Sequence, residues 1–307
     1  MADELRKVLY EALDALMGEN ENVVVLGADL DKPDGVYSLK EKYPDRCYRV
    51  GIAEQNMAGI AAGLASQGFI PFINTFCAFA TRRICDQVAV SICYAGNNVK
   101  IIGTDPGVTA EYNGGTHMAF EDIGVMRSIP NIRIVEPSDG VELAQMIPSI
   151  AAIDGPVYLR MYRKKVGDLH DRSYTYKFGK ADRVREGDDI TIIASGIMLC
   201  EALRAADELE AEGVSAEVIN LHTIKPIDRE TIVASARKTG VIVTAENHNI
   251  LGGLRSAVAE VITEEYPVRI LPVGVSDIKG EVGLLPYLRE RFGLDAKTIV
   301  ETVRSTR

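Results

Sequence analysis

The sequence predicts an α/β protein built from two open, mainly parallel sheets flanked by helices. Three observations carry that expectation. Short apolar runs alternate with helix-period segments in both halves of the chain, the pattern of strand–helix units around a parallel sheet. A charge-rich stretch without clear period divides the halves. The chain's 307 residues exceed what one hydrophobic core usually holds. The expected organisation is a first domain over 1–165, a linker over 166–188 and a second domain over 189–307.

The first helix is read over 3–17, where Leu5, Val8, Leu9, Leu13 and Leu16 share one face. Residues 23–26 form a continuous apolar run, as a strand covered on both sides requires. Gly27-Ala28-Asp29 follows at its C-terminal end, where open α/β sheets hold ligands. A polar loop passes through Pro33 and Gly35, and a short strand lies at 48–50. The next helix begins near Glu54 and carries Ala58, Gly59, Ala61, Ala62, Gly63 and Ala65. Glycines lower helix propensity, so this run makes sense where another backbone approaches closely. A strand at 70–74 leads to a helix over 81–94, with Ile84, Val88 and Ile92 at helical spacing. A strand at 99–103, a Gly-rich loop over 107–117 and a strand at 132–135 come next. Pro137-Ser138-Asp139 then opens a helix with a capping residue. A strand at 157–161 closes the first half. Beyond the aperiodic 162–188, strands at 190–194, 216–221, 241–244 and 268–273 alternate with helices over 200–212, 228–239 and 253–265. Helical segments follow over 285–292 and after Asp295.

Composition narrows the function. Net charge is −10 and the longest basic run is Arg163-Lys164-Lys165. Neutralising phosphates needs clustered Lys and Arg, so nucleic acid is a poor partner. The five cysteines form no CxxC and no metal spacing with a histidine, which reads as reduced thiols in a cytoplasmic protein. The segment MADELRKVLYEAL is charged and amphipathic, unlike a signal peptide. No apolar run reaches membrane-spanning length, so no membrane partner is expected.

Candidate chemistry is sparse. There is no Walker loop and no GxGxxG. Gly252-Gly253 before a helix is more often a tight turn than a phosphate site. Ser195-Gly196 follows a strand but lacks the GxSxG elbow. His117, His170, His222 and His248 are far apart in sequence, so no metal site of this chain alone is expected. What remains is Glu54, Phe76, Phe79, Arg82, His117 and Arg163, all near expected strand ends or loops of the first half.

Each has a plainer reading. Glu54 among Ile52, Ala53, Met57 and Ala58 is poorly solvated, which raises a carboxyl pKa and suits a proton donor. The same residue also fits an acid placed at a helix N-terminus by the macrodipole. Phe76 and Phe79 fit either core or a wall for a planar heterocycle. Arg82 and Arg83 fit a solvated helix face, with a functional role expected for Arg82 only.

At these residues the chain resembles the transketolase family, and 1-deoxyxylulose-5-phosphate synthase as well. The matching runs are VGIAEQNMAGIAAGLA at 50–65, INTFCAFATRRICDQV at 73–88, GGTHMAFEDIGVMRSIPNIRIVEPSDGVE at 114–142 and GPVYLRMYR at 155–163. IKPID at 224–228 and AENHNILGGLRSAV at 245–258 extend the resemblance over essentially the whole chain. It implies a thiamine-diphosphate pyrimidine-binding domain followed by the transketolase C-terminal domain. The family's GDG…N motif for diphosphate and metal is absent; Gly187-Asp188-Asp189 lacks its second glycine.

The resemblance therefore implies one subunit of a split, two-gene transketolase. An N-terminal partner would carry the diphosphate and the Mg2+ or Ca2+, and the chain would self-associate into a dimer. Glu54 would hydrogen-bond the pyrimidine nitrogen of thiamine diphosphate, with Phe76 and Phe79 as its aromatic wall. Arg82 stands where the family has Tyr or Arg, and Asp29 belongs to the subunit and cofactor region. His117 would contact a substrate hydroxyl or carbonyl, and Arg163 and Arg6 would bind sugar phosphate. Two positions depart from the pattern. Asn113 replaces an Asp that reads a substrate hydroxyl, and Asp105 replaces a phosphate-contacting His. The expected reaction is transfer of a two-carbon ketol unit from a ketose (phosphate) to an aldose (phosphate). The alternatives are the beta subunit of a 2-oxoacid dehydrogenase first component, or a non-catalytic scaffolding paralogue.

Overall fold

A computed structural model describes residues 3–306 of the protein. The chain forms two compact units. One comprises the residues up to Pro106 together with Val125–Phe178, and the other Gly107–Gly124 together with the residues from Gly179 on.

The first unit holds β1 (Val23–Gly27), β2 (Cys47–Arg49), β3 (Ile70–Phe76), β4 (Lys100–Thr104), β5 (Arg133–Val135) and β6 (Val157–Met161). These six strands run parallel in the order β5-β6-β4-β3-β1-β2. Strands β1, β4 and β6 are buried at every position, as sheets covered on both faces require. The register aligns Gly27 with Asn74, Phe76 with Thr104, and Thr104 with Met161. The C-terminal ends of β1, β3, β4 and β6 therefore lie along one edge, the position that open α/β sheets use for ligands.

Helices cover this sheet. They are α1 (Leu5–Glu19), α2 (Leu39–Lys42), α3 (Glu54–Ala65), α4 (Cys77–Ala80), α5 (Asp122–Ser128) and α6 (Gly140–Ala151). Leu5, Leu9, Leu13 and Met17 recur at four-residue spacing on α1 and are buried in one core with Leu143, Met146, Ile147 and Ile150 of α6. Burying a side chain of that kind contributes roughly 1.5–3 kcal/mol. Asp139 caps α6, its side chain accepting a hydrogen bond from the Glu142 N–H.

The helix expected over 81–94 is not one α-helix. A 3-10 turn, Arg82–Ile84, precedes a π-helix, Gln87–Tyr94. The cause is local. The Thr81 hydroxyl donates to the Cys77 carbonyl at 2.6 Å, and Thr81 itself leaves helical geometry at φ −120° and ψ −84°. A hydroxyl bond back to the carbonyl four residues earlier bends a helix. The phase of every residue after Thr81 shifts as a result.

The second unit holds β7 (Asp182–Arg185), β8 (Ile190–Ala194), β9 (Ala216–Asn220), the three-residue β10 (Thr223–Lys225), β11 (Val241–Asn249) and β12 (Arg269–Val275). Five strands pair in the order β12-β11-β8-β9-β7, parallel except for β7 against β9. Helices α7 (Met198–Ala211), α8 (Arg229–Thr239), α9 (Leu254–Glu265), α10 (Leu285–Phe292) and α11 (Ala296–Arg304) flank them. Ile193, Ile219, Ile232, Ile242, Leu254 and Val258 lie in the core. Asp228 and Asp295 cap α8 and α11 through the N–H groups of Thr231 and Thr298. Two mainly parallel sheets are thus present, as the alternation predicts.

Two segments hold more structure than their sequence suggests. The stretch 162–188 contains β7, a polar edge strand whose Arg183 pairs with buried Glu217 at 2.6 Å. The Gly-rich loop contains 3-10 turns over Gly107–Asn113, broken at Glu111 where φ is 48°. Among the described residues no helix is long and apolar enough to cross a membrane.

Candidate functional site

The C-terminal edge of the first sheet collects most of the expected residues. Glu54 is the first residue of α3, and no side chain caps that end. Its carboxylate is only 3% exposed. A buried carboxylate at a helix N-terminus gains from the helix dipole, yet burial still calls for a counter-charge. Arg83 supplies it, with Nη1 donating to Glu54 Oε1 at 2.6 Å. Among the described residues Glu54 Oε2 accepts no hydrogen bond. Residues 52–56 and Arg83 line an open depression of about 490 Å³.

The aromatic pair lies beside this acid. Phe76 closes β3 and is buried, and Phe79 sits on α4. Their ring centroids are 6.1 Å apart, with the planes inclined at 28°. The Arg83 guanidinium carbon stands 3.7 Å from the Phe79 centroid. The Arg163 guanidinium carbon lies 5.1 Å from the Phe76 centroid. Arg163 Nε also pairs with Asp105 Oδ2 at 2.7 Å. Asp105 follows β4 with φ at 52°, a left-handed conformation that few residues other than glycine adopt.

Sequence reasoning expected a role for Arg82 and none for Arg83. Arg82 is exposed on the 3-10 turn, whereas Arg83 is the arginine that reaches Glu54 and Phe79. The phase shift after Thr81 decides which of the two faces the acid. Only the RR pair itself signalled a cation here.

Asp34, missed by the sequence reading, lies wholly buried in the loop after β1. Its Oδ1 accepts a hydrogen bond from the Thr104 hydroxyl at 2.8 Å. Burial pushes this carboxyl up to about 8, and the neighbouring Asp105 and Asp31 carboxylates add to the effect. Burial likewise raises Asp31, against the opposing charge of Arg49. Asp29, at φ 65°, is exposed just past β1.

The other expected residues stand elsewhere. Arg6 pairs with Glu4 at 2.6 Å and lines a separate depression of about 390 Å³ with Lys7, Tyr10, Gly35 and Ser38. Its backbone N–H donates to the Arg163 carbonyl at 2.9 Å. His117 and Asn113 belong to the second unit. Asn113 is exposed at the end of the 3-10 turns. His117 Nδ1 lies 2.9 Å from the Thr116 hydroxyl, and the His117 backbone N–H donates to the Gly114 carbonyl.

The Glu54 site joins an ionic acceptor to two stacked rings. That set suits a planar heterocycle carrying an in-plane N–H donor. The residues present therefore fit the aminopyrimidine of thiamine diphosphate.

Comparison with known proteins places the chain as a whole. Residues 3–168 match the family pattern described as "Transketolase, pyrimidine binding domain", and residues 179–299 match "Transketolase, C-terminal domain". The chain is 50% identical over 296 residues to the "6-deoxy-6-sulfo-D-fructose transketolase subunit SqwH" of Clostridium sp. (strain MSTE9), covering 96% of this chain and 92% of that protein. It is 36% identical to "1-deoxy-D-xylulose-5-phosphate synthase 1" of Geobacter sulfurreducens, covering 95% of this chain but 46% of that protein. A solved structure described as "Split gene transketolase, inactive beta4 tetramer" superposes with a TM-score of 0.90 at 42% identity, covering 99% of this chain and 98% of that one. The chain belongs to the transketolase family and carries its pyrimidine-binding and C-terminal domains.

Proposed function

We propose that this chain is the C-terminal subunit of a split, thiamine-diphosphate-dependent transketolase. It moves a two-carbon ketol unit from a ketose to an aldose, and it works with an N-terminal partner subunit that completes each site. The observation that carries the reading is Glu54, a buried carboxylate at the head of α3 beside the Phe76–Phe79 pair. Supporting it, the relatives that this chain covers almost end to end are described as a transketolase subunit and a split-gene transketolase. The tetramer in the latter's description supports self-association, proposed here as a dimer.

Thiamine diphosphate, when bound, supplies the carbon nucleophile that cleaves a ketose next to its carbonyl. This chain's residues bind and position it. Glu54 hydrogen-bonds the pyrimidine ring nitrogen, which fixes that ring's protonation state. Phe76 and Phe79 shut water away from this bond, strengthening it. Arg82 and Asp29 border the cofactor, and Mg2+ or Ca2+ belongs with the partner subunit's domain. His117 and Asn113 read the sugar's carbonyl and hydroxyls, and Arg163 takes its anionic tail; Arg6, beside its own depression, meets Arg163 through its backbone N–H.

A second reading of the tail rests on Asp105. Its carboxylate already holds Arg163 at 2.7 Å. A phosphate dianion meets stronger repulsion there than a singly charged sulfonate does. The Clostridium relative is named for a 6-deoxy-6-sulfo sugar, so a sulfonated ketose is the favoured donor.

The test is Glu54→Gln in the chain reconstituted with its co-purifying partner. Ketol transfer measured with ketose donors is expected to fall by at least about 100-fold, the scale of losing a proton-transfer group. Transfer at the wild-type rate would refute the role of Glu54. A 2-oxoacid accepted in place of the ketose would identify a dehydrogenase component instead.

A further inference from the structure

Arg83 has no part in the function proposed above, yet it makes the closest contacts in the site. Its Nη1 takes Glu54 Oε1 at 2.6 Å, and its guanidinium carbon stands 3.7 Å from the Phe79 centroid. The second distance is van der Waals contact, so the flat cation covers that ring. Phe76 stacks on Phe79 as well, 6.1 Å away.

A guanidinium and an aminopyrimidine are alike in the features this site reads. Both are planar, both carry in-plane N–H donors for a carboxylate, and both offer a face to an aromatic ring. A carboxylate can accept from two donors, so Glu54 alone would not force a choice. The Phe79 face does, because two planar groups cannot cover one face at contact distance.

We propose that Arg83 is a built-in occupant of the pyrimidine seat, which the cofactor must displace. The inference rests on the cofactor reading of Glu54 given above. Two further features suit a residue that leaves. Its side chain is 40% exposed, which opens an exit to solvent. Its main chain is held independently of the side chain, since the Arg83 carbonyl accepts a hydrogen bond from Gln55 Nε2 at 3.3 Å. The guanidinium can therefore swing out without moving the 3-10 turn. While seated, it keeps the buried Glu54 charge compensated, an arrangement strongly favoured over an unpaired buried acid. The binding-competent form is then a minor population, and apparent cofactor affinity falls in proportion.

The test is calorimetric titration of thiamine diphosphate, with Mg2+ present, into the apo complex of this chain and its partner subunit. Arg83→Ala empties the seat and leaves Glu54 to be satisfied by the ligand, so binding is expected to tighten by about tenfold. Arg83→Lys keeps a cation for Glu54 without the planar fork, and its affinity falls between the two. It also serves if Arg83→Ala does not fold. Unchanged or weakened binding in the folded variants overturns the proposal and makes Arg83 a positioning residue. If wild type and variants all fail to bind, the cofactor reading fails, and this inference with it. Saturable binding of unaltered strength overturns the Arg83 inference alone.

Discussion

Asp34 lets the physics of the site be tested without any substrate. The perturbation is Asp34→Asn, which keeps the shape of a protonated carboxyl and removes its titration. In the native chain the side chain is fully buried, Oδ1 accepts from Thr104, and Oδ2 has no partner among the described residues. Burial raises its pKa from 3.8 to about 8. The native chain therefore holds a proton that the unfolded chain releases at about pH 4. Between these values the native state binds more protons, so stability is fully present in acid and falls as pH rises through the window. The slope is about 1.4 kcal/mol per pH unit, and from about pH 5 to about pH 8 the loss is roughly 4 kcal/mol. The Asp34→Asn variant has no such slope. Urea unfolding of both proteins at the two pH values, followed by circular dichroism, should show the variant gaining roughly 4 kcal/mol on the wild type. Stability profiles that stay parallel within about 0.5 kcal/mol would show that Asp34 is ionised in the fold and refute the reasoning.

Two further outcomes follow from buried charge. Arg160 on β6 is fully buried against Glu136. Arg160→Met leaves that acid without its cation, and chemical denaturation should show a loss of about 3–5 kcal/mol, much of it restored when Glu136→Leu is added. Asp105→Asn releases Arg163 from its pair, and steady-state kinetics of the reconstituted complex should show KM falling about tenfold for a ketose phosphate and much less for a sulfonated ketose. An unchanged ratio between the two donors would remove Asp105 from substrate choice.

Both sheets were legible because most of their strands are short, largely apolar runs. Val23–Gly27 and Val157–Met161 are buried at every position, and helix-period segments separate them. The reading weakened where polarity or local hydrogen bonding took over. Asp182–Arg185 has the composition of a loop and becomes a strand by pairing antiparallel at the sheet edge, where charged side chains are tolerated. Within the candidate site Glu54 stood out, since an acid among small apolar residues is conspicuous in any sequence. Its partner Arg83 was not. Their contact spans 29 positions, and which arginine makes it depends on the backbone leaving helical geometry at Thr81. Asp34 was hidden for a similar reason. Only the fold places that loop residue against Thr104 at the end of β4.

The row Asp105–Arg163–Phe76–Phe79–Arg83–Glu54 explains why this edge needs exchange rather than simple attraction. Each arginine covers a ring and holds an acid, and the two rings stack on each other. Two acids and two arginines cancel, so the row offers little long-range pull on an anion. Selectivity must then come from contacts that replace existing ones. A planar group with in-plane donors can take over both contacts of Arg83, while a plain cation can replace only its charge. At the other end, an anion gains Arg163 only by competing with Asp105, and each added negative charge strengthens that competition. A site arranged this way rejects ligands that satisfy one partner and leave the other uncovered, because the group left behind is buried and unpaired.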